Sequence, residues 1–74
     1  MKKIVILGST GSIGINTLKV IAAHKEEFRV IGLTAQSNIG LMFEQIKRFR
    51  PKYAAVLDPQ KALQILIEII RTRL

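Results

Sequence analysis

Cysteine and tryptophan are absent from this 74-residue sequence, and proline occurs only twice. Without cysteine the chain has no disulfide, thiolate metal ligand or cysteine nucleophile, which agrees with a reducing compartment. Long apolar runs are absent as well, because Gly8 ends the run at residues 4–7. A signal peptide needs about 7 to 15 apolar residues and a membrane span about 20. We therefore expect a cytoplasmic protein that begins at Met1 and has no membrane segment.

Acidic residues are scarce: there are five, against twelve Lys and Arg, which gives a formal charge of +7. The densest basic cluster comprises Lys47, Arg48, Arg50 and Lys52, and a cluster of this kind is one sign of nucleic-acid binding. It lies at the end of a predicted helix, however, where the helix dipole favours solvent-facing cations. Aromatic residues do not provide stacking platforms among these cations, because Phe43 and Phe49 fall on the predicted apolar side of the helix and Tyr53 is the only tyrosine. We expect no nucleic-acid partner.

Short β-rich segments alternate three times with longer helical periods. Strands are predicted at 3–7, 28–35 and 53–57, and helices at 12–24, 39–50 and from Pro59 nearly to the end. This order predicts an α/β fold, the first β-α-β-α-β-α half of a three-layer, Rossmann-type parallel sheet with strand order 3-2-1. Residues 1–74 then belong to one domain. The first strand is apolar on both faces, which predicts helices on each side of it.

The spacing of apolar residues predicts which side of each helix is buried. The predicted stripe of the first helix is Ile13, Thr17, Val20 and Ile21. The predicted stripe of the second helix is Met42, Ile46 and Phe49. Pro51 should end the second helix, because proline cannot continue its hydrogen bonds. Asp58 should cap the third helix, with Pro59 at the first helical position.

The third helix has too many apolar residues for one buried face. At 100° per residue they cover roughly 200°, about twice the minimum stripe of a surface helix. These residues are Ala62, Leu63, Ile65, Leu66, Ile67, Ile69 and Ile70. A homo-oligomer would explain this width, and so would a longer protein whose remainder covers the second face. Strand order 3-2-1 favours the longer protein, because it leaves the first strand as an unpaired edge.

A glycine-rich loop stands between the first strand and the first helix and carries the chemistry of this chain. Gly8 allows the turn out of the strand, and Gly14 lets the helix pack closely on the sheet. Gly11 removes a Cβ where a diphosphate would lie. The spacing G-x-x-G-x-x-G, within a strand–helix–strand context, predicts dinucleotide binding. No Gly-Lys-Ser/Thr follows, so the loop is not a P-loop.

The predicted donors to the diphosphate are the backbone N–H groups of Ser12 and Ile13, together with the hydroxyls of Thr10 and Ser12. The alternative is an ordinary strand-to-helix turn in which Ser12 or Thr10 acts as the N-cap.

The end of the second strand predicts which dinucleotide binds. NAD sites place an acidic side chain there to hold the ribose 2′-OH, whereas residues 34–38 have none. Ser37 and Asn38 are neutral donors that would accept a 2′-phosphate, which predicts NADP. The alternative is that Ser37 or Asn38 caps the second helix, and the two roles are compatible.

The His, Asp and Glu residues of this sequence do not show a spacing typical of an acid–base pair or a metal site. His24 stands alone near a helix end, and Asp58 is accounted for by capping. Glu44 and Glu68 fall on solvated helix faces. We therefore predict no catalytic residue and no metal ligand in this chain, and no activity of its own.

The sequence resembles the N-terminus of the 1-deoxy-D-xylulose 5-phosphate reductoisomerase family. The resemblance rests on residues 3–14, KIVILGSTGSIG, and on Thr17-Leu18. Further along it includes residues 28–30, 33–35 and 50–54 together with Asn38. It covers nearly all of this chain but only the first portion of the family's length. Just before Asn38 the sequence differs from the family pattern, with Gln36 and Ser37 where a glycine and often a basic residue are usual.

The resemblance implies an oxidoreductase that uses NADPH and a divalent metal, Mg or Mn, to rearrange and reduce 1-deoxy-D-xylulose 5-phosphate. Its product is 2-C-methyl-D-erythritol 4-phosphate, in the non-mevalonate route to isoprene units. Thr10, Gly11, Ser12 and Ile13 match the family's diphosphate-binding residues, and Asn38 matches one on the adenosine side. Metal and sugar-phosphate sites would lie beyond this chain. Two alternatives are an extended short-chain dehydrogenase or epimerase fragment and a stand-alone basic module that binds nucleotides or nucleic acid.

Overall fold

The computed structural model describes residues 1–73 and contains three strands that alternate with three helices. The elements are β1 (Lys2–Ile6), α1 (Ser12–Ala23), β2 (Phe28–Ala35), α2 (Ile39–Phe49), β3 (Tyr53–Val56) and α3 (Pro59–Thr72). The predicted order is confirmed. Strand β1 begins one residue earlier than predicted, because Lys2 N already donates to Glu27 O at 2.8 Å. None of the helices within residues 1–73 is both long enough and apolar enough to cross a bilayer.

The three strands form one parallel sheet in the order β1-β2-β3, which confirms the predicted order 3-2-1. Ile4 pairs with Val30, and Val5 pairs with Gly32 after an irregularity in the register. Gly32 in turn pairs with Tyr53 of β3. Strand β2 is therefore the centre of the sheet, and β1 is an edge within the part of the chain that the structure describes. The α/β, Rossmann-type fold is confirmed.

One hydrophobic core lies between the sheet and the helices, and all three helices contribute to it. Its members are Ile6, Leu18, Ile21, Val30, Leu33, Ala35, Met42, Ile46 and Ile65. The other face of the sheet bears Val5 and Tyr53 on either side of Gly32, and Val5 is 55% exposed. The prediction of helices on both sides of β1 is therefore not met by residues 1–73, which supply helices to one face only.

The buried side of α1 differs from the predicted stripe. Ile13 is 82% exposed and Val20 is 58% exposed, whereas Gly14, Leu18 and Ile21 are buried. The helix turns its 14–18–21 face inward because Gly14, which has no side chain, contacts the preceding loop. In α2 the predicted stripe is confirmed: Met42 and Ile46 are buried, and Phe49 packs against the core. Of α3 only Ile65 is buried, so the predicted excess of apolar surface is confirmed.

Two of the helix starts are capped as predicted. Asn38 Oδ1 accepts a hydrogen bond from Leu41 N at 3.3 Å at the start of α2. Asp58 Oδ1 accepts from Gln60 N at 3.0 Å and from Lys61 N at 3.3 Å at the start of α3, where Pro59 needs no acceptor. These bonds satisfy N–H groups that have no partner inside a helix. Local sequence therefore fixes where α2 and α3 begin.

Candidate functional site

The glycine loop follows β1 at the carboxyl edge of the sheet and is bonded to the end of β2. Gly8 has φ +72°, a conformation that glycine adopts without the steric cost of a Cβ. Gly8 N donates to Thr34 Oγ1 at 2.9 Å, and Ser9 N donates to Thr34 O at 2.8 Å. Gly11 N closes the turn on Gly8 O at 3.1 Å. The predicted turn at Gly8 is confirmed, and Thr34 fixes its direction.

Gly14 brings α1 into direct contact with the loop. A Cβ at this position would lie 2.3 Å from Gly8 O and 2.7 Å from Ser9 Cα, which is closer than real Cβ atoms approach other heavy atoms. Gly14 was predicted to let α1 pack closely on the sheet, but the close approach in the structure is to the glycine loop after β1. The contact is with the backbone of the loop, so Gly14 holds the loop and the first turn of α1 together.

Gly11 has a different reason to be glycine. A Cβ there would meet only Gly8 O, at 3.5 Å, which is an ordinary contact. Its φ of −80° is also open to any residue. Neither packing nor backbone conformation within residues 1–73 requires glycine at this position. Its effect is to keep the surface in front of the helix free of a side chain.

Helix α1 begins without a side-chain cap. Its N-cap is Gly11, and its first backbone bond joins Ile15 N to Gly11 O at 2.9 Å. Across residues 1–73, no acceptor faces the N–H groups of Ser12 and Ile13, and no acidic residue stands in the first turn. The alternative in which Ser12 or Thr10 caps the helix is therefore not what the structure shows. The positive end of α1 presents free N–H groups beside Gly11.

Ser37 and Asn38 lie where β2 gives way to α2. Both side chains are exposed, and Ile39 N donates to Ser37 O at 2.8 Å. The capping role expected for Asn38 is confirmed, and it uses Oδ1. The Nδ2 group of Asn38 donates to no other group in the described part of the chain. Because Thr34 bonds both Gly8 and Ser9, this segment and the glycine loop lie side by side at one edge of the sheet.

Two residues that hold the loop could not be identified from the spacing of the glycines. Ser9 is fully buried, with Oγ 3.6 Å from Met42 Sδ. Gln45, in the middle of α2, donates from Nε2 to Ser9 O at 2.8 Å. In the sequence, this contact was indicated by Gln45 being a polar residue within the apolar stripe of α2. The sequence does not show which distant backbone group that residue would meet.

Three pairs of an acidic with a basic side chain lie at the surface. His24 lies 3.8 Å from Glu27, Lys47 lies 2.9 Å from Glu44, and Arg71 lies 3.5 Å from Glu68. Each pair joins residues three apart, and every paired side chain is at least 41% exposed, so the pairs contribute little to stability. Among the described residues, no three His, Asp or Glu side chains converge as a metal site requires.

The basic cluster lies at the opposite edge of the sheet from the glycine loop, because α2 runs antiparallel to the strands and ends there. Lys47 stacks on Phe43 with its Nζ 4.8 Å from the ring centre, and Arg48 stacks on Phe49 at 5.5 Å. These aromatic rings pack against the core. The cluster is therefore separate from the dinucleotide-type loop.

Comparison with known proteins identifies a family for this chain. The family model described as 1-deoxy-D-xylulose 5-phosphate reductoisomerase matches residues 4–73. A relative of that name from Caldanaerobacter subterraneus subsp. tengcongensis is 55% identical over 65 residues, which cover 88% of this chain and 17% of the relative. One from Nitrosospira multiformis is 46% identical over all 74 residues, or 19% of its length. The chain thus spans less than a fifth of the curated relatives it matches.

Solved structures give the same result. A crystal structure of DOX-P reductoisomerase in complex with NADPH, fosmidomycin and magnesium superposes with a TM-score of 0.94 at 28% identity. The match covers all of this chain and 18% of that chain. A second structure of that enzyme, in complex with magnesium, matches equally well. The chain belongs to the 1-deoxy-D-xylulose 5-phosphate reductoisomerase family and corresponds to its N-terminal part.

Proposed function

We propose that residues 1–74 are the N-terminal part of an NADPH-binding domain in a 1-deoxy-D-xylulose 5-phosphate reductoisomerase. The complete enzyme would rearrange and reduce 1-deoxy-D-xylulose 5-phosphate to 2-C-methyl-D-erythritol 4-phosphate, a step in making isoprenoid precursors. NADPH supplies the hydride for such a reduction. This chain would hold the cofactor and would have no activity alone. Catalytic, sugar-phosphate and Mg or Mn sites would belong to the rest of the enzyme.

The observation that carries this proposal is the uncapped start of α1 beside Gly11. Free N–H groups at a helix start attract a diphosphate through hydrogen bonds and through the helix dipole. Ser12 and Ile13 N–H would bind its oxygens, and the hydroxyls of Thr10 and Ser12 would add donors. Gly8 would set the turn that brings the loop to the ligand, and the missing side chain of Gly11 would allow close approach.

The neutral segment after β2 supports NADPH over NADH. Residues 36–38 carry no carboxylate that would repel a 2′-phosphate. Ser37 offers an exposed hydroxyl, and Asn38 keeps Nδ2 free while Oδ1 caps α2. Capping and phosphate binding therefore use different atoms of Asn38.

The exposed apolar surfaces support a larger assembly. Leu63, Leu66 and Ile70 of α3 are half-exposed or more, and within residues 1–73 β1 is an edge strand. We infer that the rest of the enzyme covers them, with a homo-oligomer as the other candidate. We further propose a cytoplasmic location, since residues 4–6 form part of strand β1 in the folded chain.

Family membership argues against a dehydrogenase or epimerase fragment. A basic nucleic-acid module is the second alternative, and it would use the cluster at the far edge of the sheet. Binding through that cluster would weaken steeply with salt and would not involve the glycine loop. The two sites are far enough apart to be distinguished residue by residue.

The direct test is an NMR titration of the ¹⁵N-labelled chain with NADPH, NADH and duplex DNA. We expect NADPH to shift the amides of residues 10–13 and 37–38 and to bind more tightly than NADH. Gly11→Val should weaken binding of both dinucleotides about tenfold or more, equivalent to about 1.4 kcal/mol. Gly40→Ala, at an exposed helix position, is the matched control. Shifts confined to residues 47–52 with DNA alone would contradict the proposal.

A chimera tests the role in the complete enzyme. This chain would replace the matching segment of the Caldanaerobacter relative, and NADPH-dependent reduction of 1-deoxy-D-xylulose 5-phosphate would be measured. We expect an active chimera whose KM for NADPH rises with Gly11→Val. A folded chimera with no activity under saturating NADPH would count against the assignment.

A further inference from the structure

Gln45 makes a buried polar contact that the proposed cofactor residues do not account for. Its side chain is 7% exposed and lies among the apolar residues of α2. Nε2 donates to Ser9 O at 2.8 Å, across 36 residues of sequence. Oε1 is buried with no hydrogen-bond partner in the described part of the chain. Burying an amide with one unsatisfied atom costs free energy that an apolar side chain would avoid.

The contact completes the attachment of Ser9 to the fold. Ser9 N donates to Thr34 O of β2, Ser9 O accepts from Gln45 of α2, and Ser9 Oγ lies 3.6 Å from Met42 Sδ. Both peptide groups of this residue are therefore held by separate elements. Gln45 is the only side chain among residues 1–73 that donates to Ser9 O.

Holding Ser9 O also fixes the direction of the next N–H group. Ser9 C=O and Thr10 N–H belong to one planar trans peptide unit, in which the carbonyl and the N–H point in opposite directions. Because Gln45 holds the carbonyl toward the protein interior, Thr10 N–H points outward. Within residues 1–73 that N–H has no acceptor. Thr10 directly precedes Gly11, the N-cap of α1, and the first N–H groups of that helix also have no acceptor within residues 1–73.

We propose that Gln45 is a positioning residue that aims the Thr10 N–H at the dinucleotide diphosphate. This inference rests on the proposed function and adds a residue of α2 to the cofactor site. Gln45 itself does not touch the ligand. It acts on the diphosphate half of the site, which NADPH and NADH share, and therefore strengthens binding of both equally. Ser37 and Asn38, by contrast, act on the 2′-position, where the two cofactors differ.

The test compares Gln45→Met with Glu44→Gln, an exposed neighbour in the same turn. Methionine has a similar length and removes both the donor to Ser9 O and the unpartnered Oε1. We expect Gln45→Met to weaken the binding of NADPH and of NADH by the same factor, about tenfold each. The ratio of the two affinities should stay constant, and the melting temperature should change by only a few degrees. Ser37→Ala should change the ratio instead.

Amide hydrogen exchange of the free chain gives a readout that needs no cofactor. In Gln45→Met we expect roughly tenfold faster exchange at Ser9 and Gly11 and no change at Leu33 of β2, since a contact of this size is worth about one decade. An equal loss of protection at all three amides would show a general structural role and would overturn the inference. So would Gln45→Met affinities equal to those of Glu44→Gln. If the Gln45→Met variant does not fold, the Gln45→Leu variant replaces it and is judged by the same criteria.

The two proposals fail separately. A folded wild-type chain that binds neither dinucleotide overturns the cofactor role, and with it the purpose assigned to Gln45. Wild-type binding with an unaffected Gln45→Met overturns the Gln45 inference alone.

Discussion

At the scale of single residues, the three glycines of the loop differ in what requires them. Gly8 is required by its left-handed conformation, and Gly14 by the backbone atoms that a Cβ would strike. Gly11 is required by neither. The proposed dinucleotide, approaching the start of α1, would supply the missing reason, which is why Gly11→Val is the most direct probe of binding.

Gly14→Ala tests the loop–helix contact. Its Cβ would meet Gly8 O and Ser9 Cα, which are backbone atoms that cannot move aside cheaply. We expect the free energy of unfolding to fall by about 1–3 kcal/mol, as for overpacked cores. Urea denaturation measures this change. Gly40→Ala, where the nearest atom is 4.0 Å away, should instead raise it by up to about 1 kcal/mol. Equal effects would contradict the packing role of Gly14.

Arg50 ends α2 in a left-handed conformation with φ 49°, which costs a residue with a side chain more than it costs glycine. We expect Arg50→Gly to stabilise the chain by about 0.5–1 kcal/mol in urea denaturation. Arg48→Gly, inside the same helix, should destabilise it by about 1 kcal/mol. A loss of stability in Arg50→Gly would show that the Arg50 side chain contributes more than the strain costs.

At the scale of elements, α3 has one anchored side and one open side. Ile65 lies in the core, whereas Leu63 and Ile67 are 59% and 45% exposed. The helix is thus held by few contacts, and the open side has the apolar composition of a surface that another element covers. This combination fits a segment whose packing is completed outside the described residues.

Substitutions on the two sides of α3 should have opposite consequences. Ile65→Ala should lower the free energy of unfolding of this chain by about 2–5 kcal/mol, because it leaves a cavity. Leu63→Gln with Ile67→Gln should change it by less than about 0.5 kcal/mol each. In the chimera the glutamine pair should be clearly destabilising. Thermal unfolding of both proteins measures the difference, and a neutral pair in the chimera would show that this side stays open.

The helix caps and the order of the strands are the features of the elements that the sequence predicted correctly. Asn38, Asp58 and Pro59 act within one turn of their own helix, so their neighbours in sequence are their partners in space. The buried side of α1 was predicted wrongly at Ile13 and Val20 because helical spacing leaves the choice of face to tertiary contacts. The buried face was decided by Gly14, which a search for apolar side chains does not include.

At the scale of the whole molecule, the chain is small, positively charged and partly open. A domain of this length buries only roughly 60% of its unfolded surface, so its stability is marginal. Its core is one layer between a three-stranded sheet and three helices. A ligand bound at the carboxyl edge would connect the glycine loop with the start of α2 and would stabilise both.

NADPH should therefore raise the melting temperature measured by circular dichroism. At a concentration of 100 times Kd the gain is about 2.7 kcal/mol, which for a domain of this size corresponds to roughly 10 °C or more. NADH at the same concentration should give a smaller shift, and Gly11→Val should remove most of the shift for both. An equal shift with sodium sulfate would show a general anion effect and contradict specific cofactor binding.

The sequence by itself determined the alternation of strands and helices, the turn at Gly8, the caps at Asn38 and Asp58, and the neutral segment after β2. Each depends on backbone conformation, on hydrogen bonds within a few residues or on side-chain charge, which are local properties. Only the tertiary structure decided that Thr34 and Gln45 hold the loop, that α1 turns Gly14 inward, and that residues 1–73 leave one face of the sheet open. Those features join segments 26 to 36 residues apart or depend on how helices pack, and the packing of the whole chain alone brings such groups together.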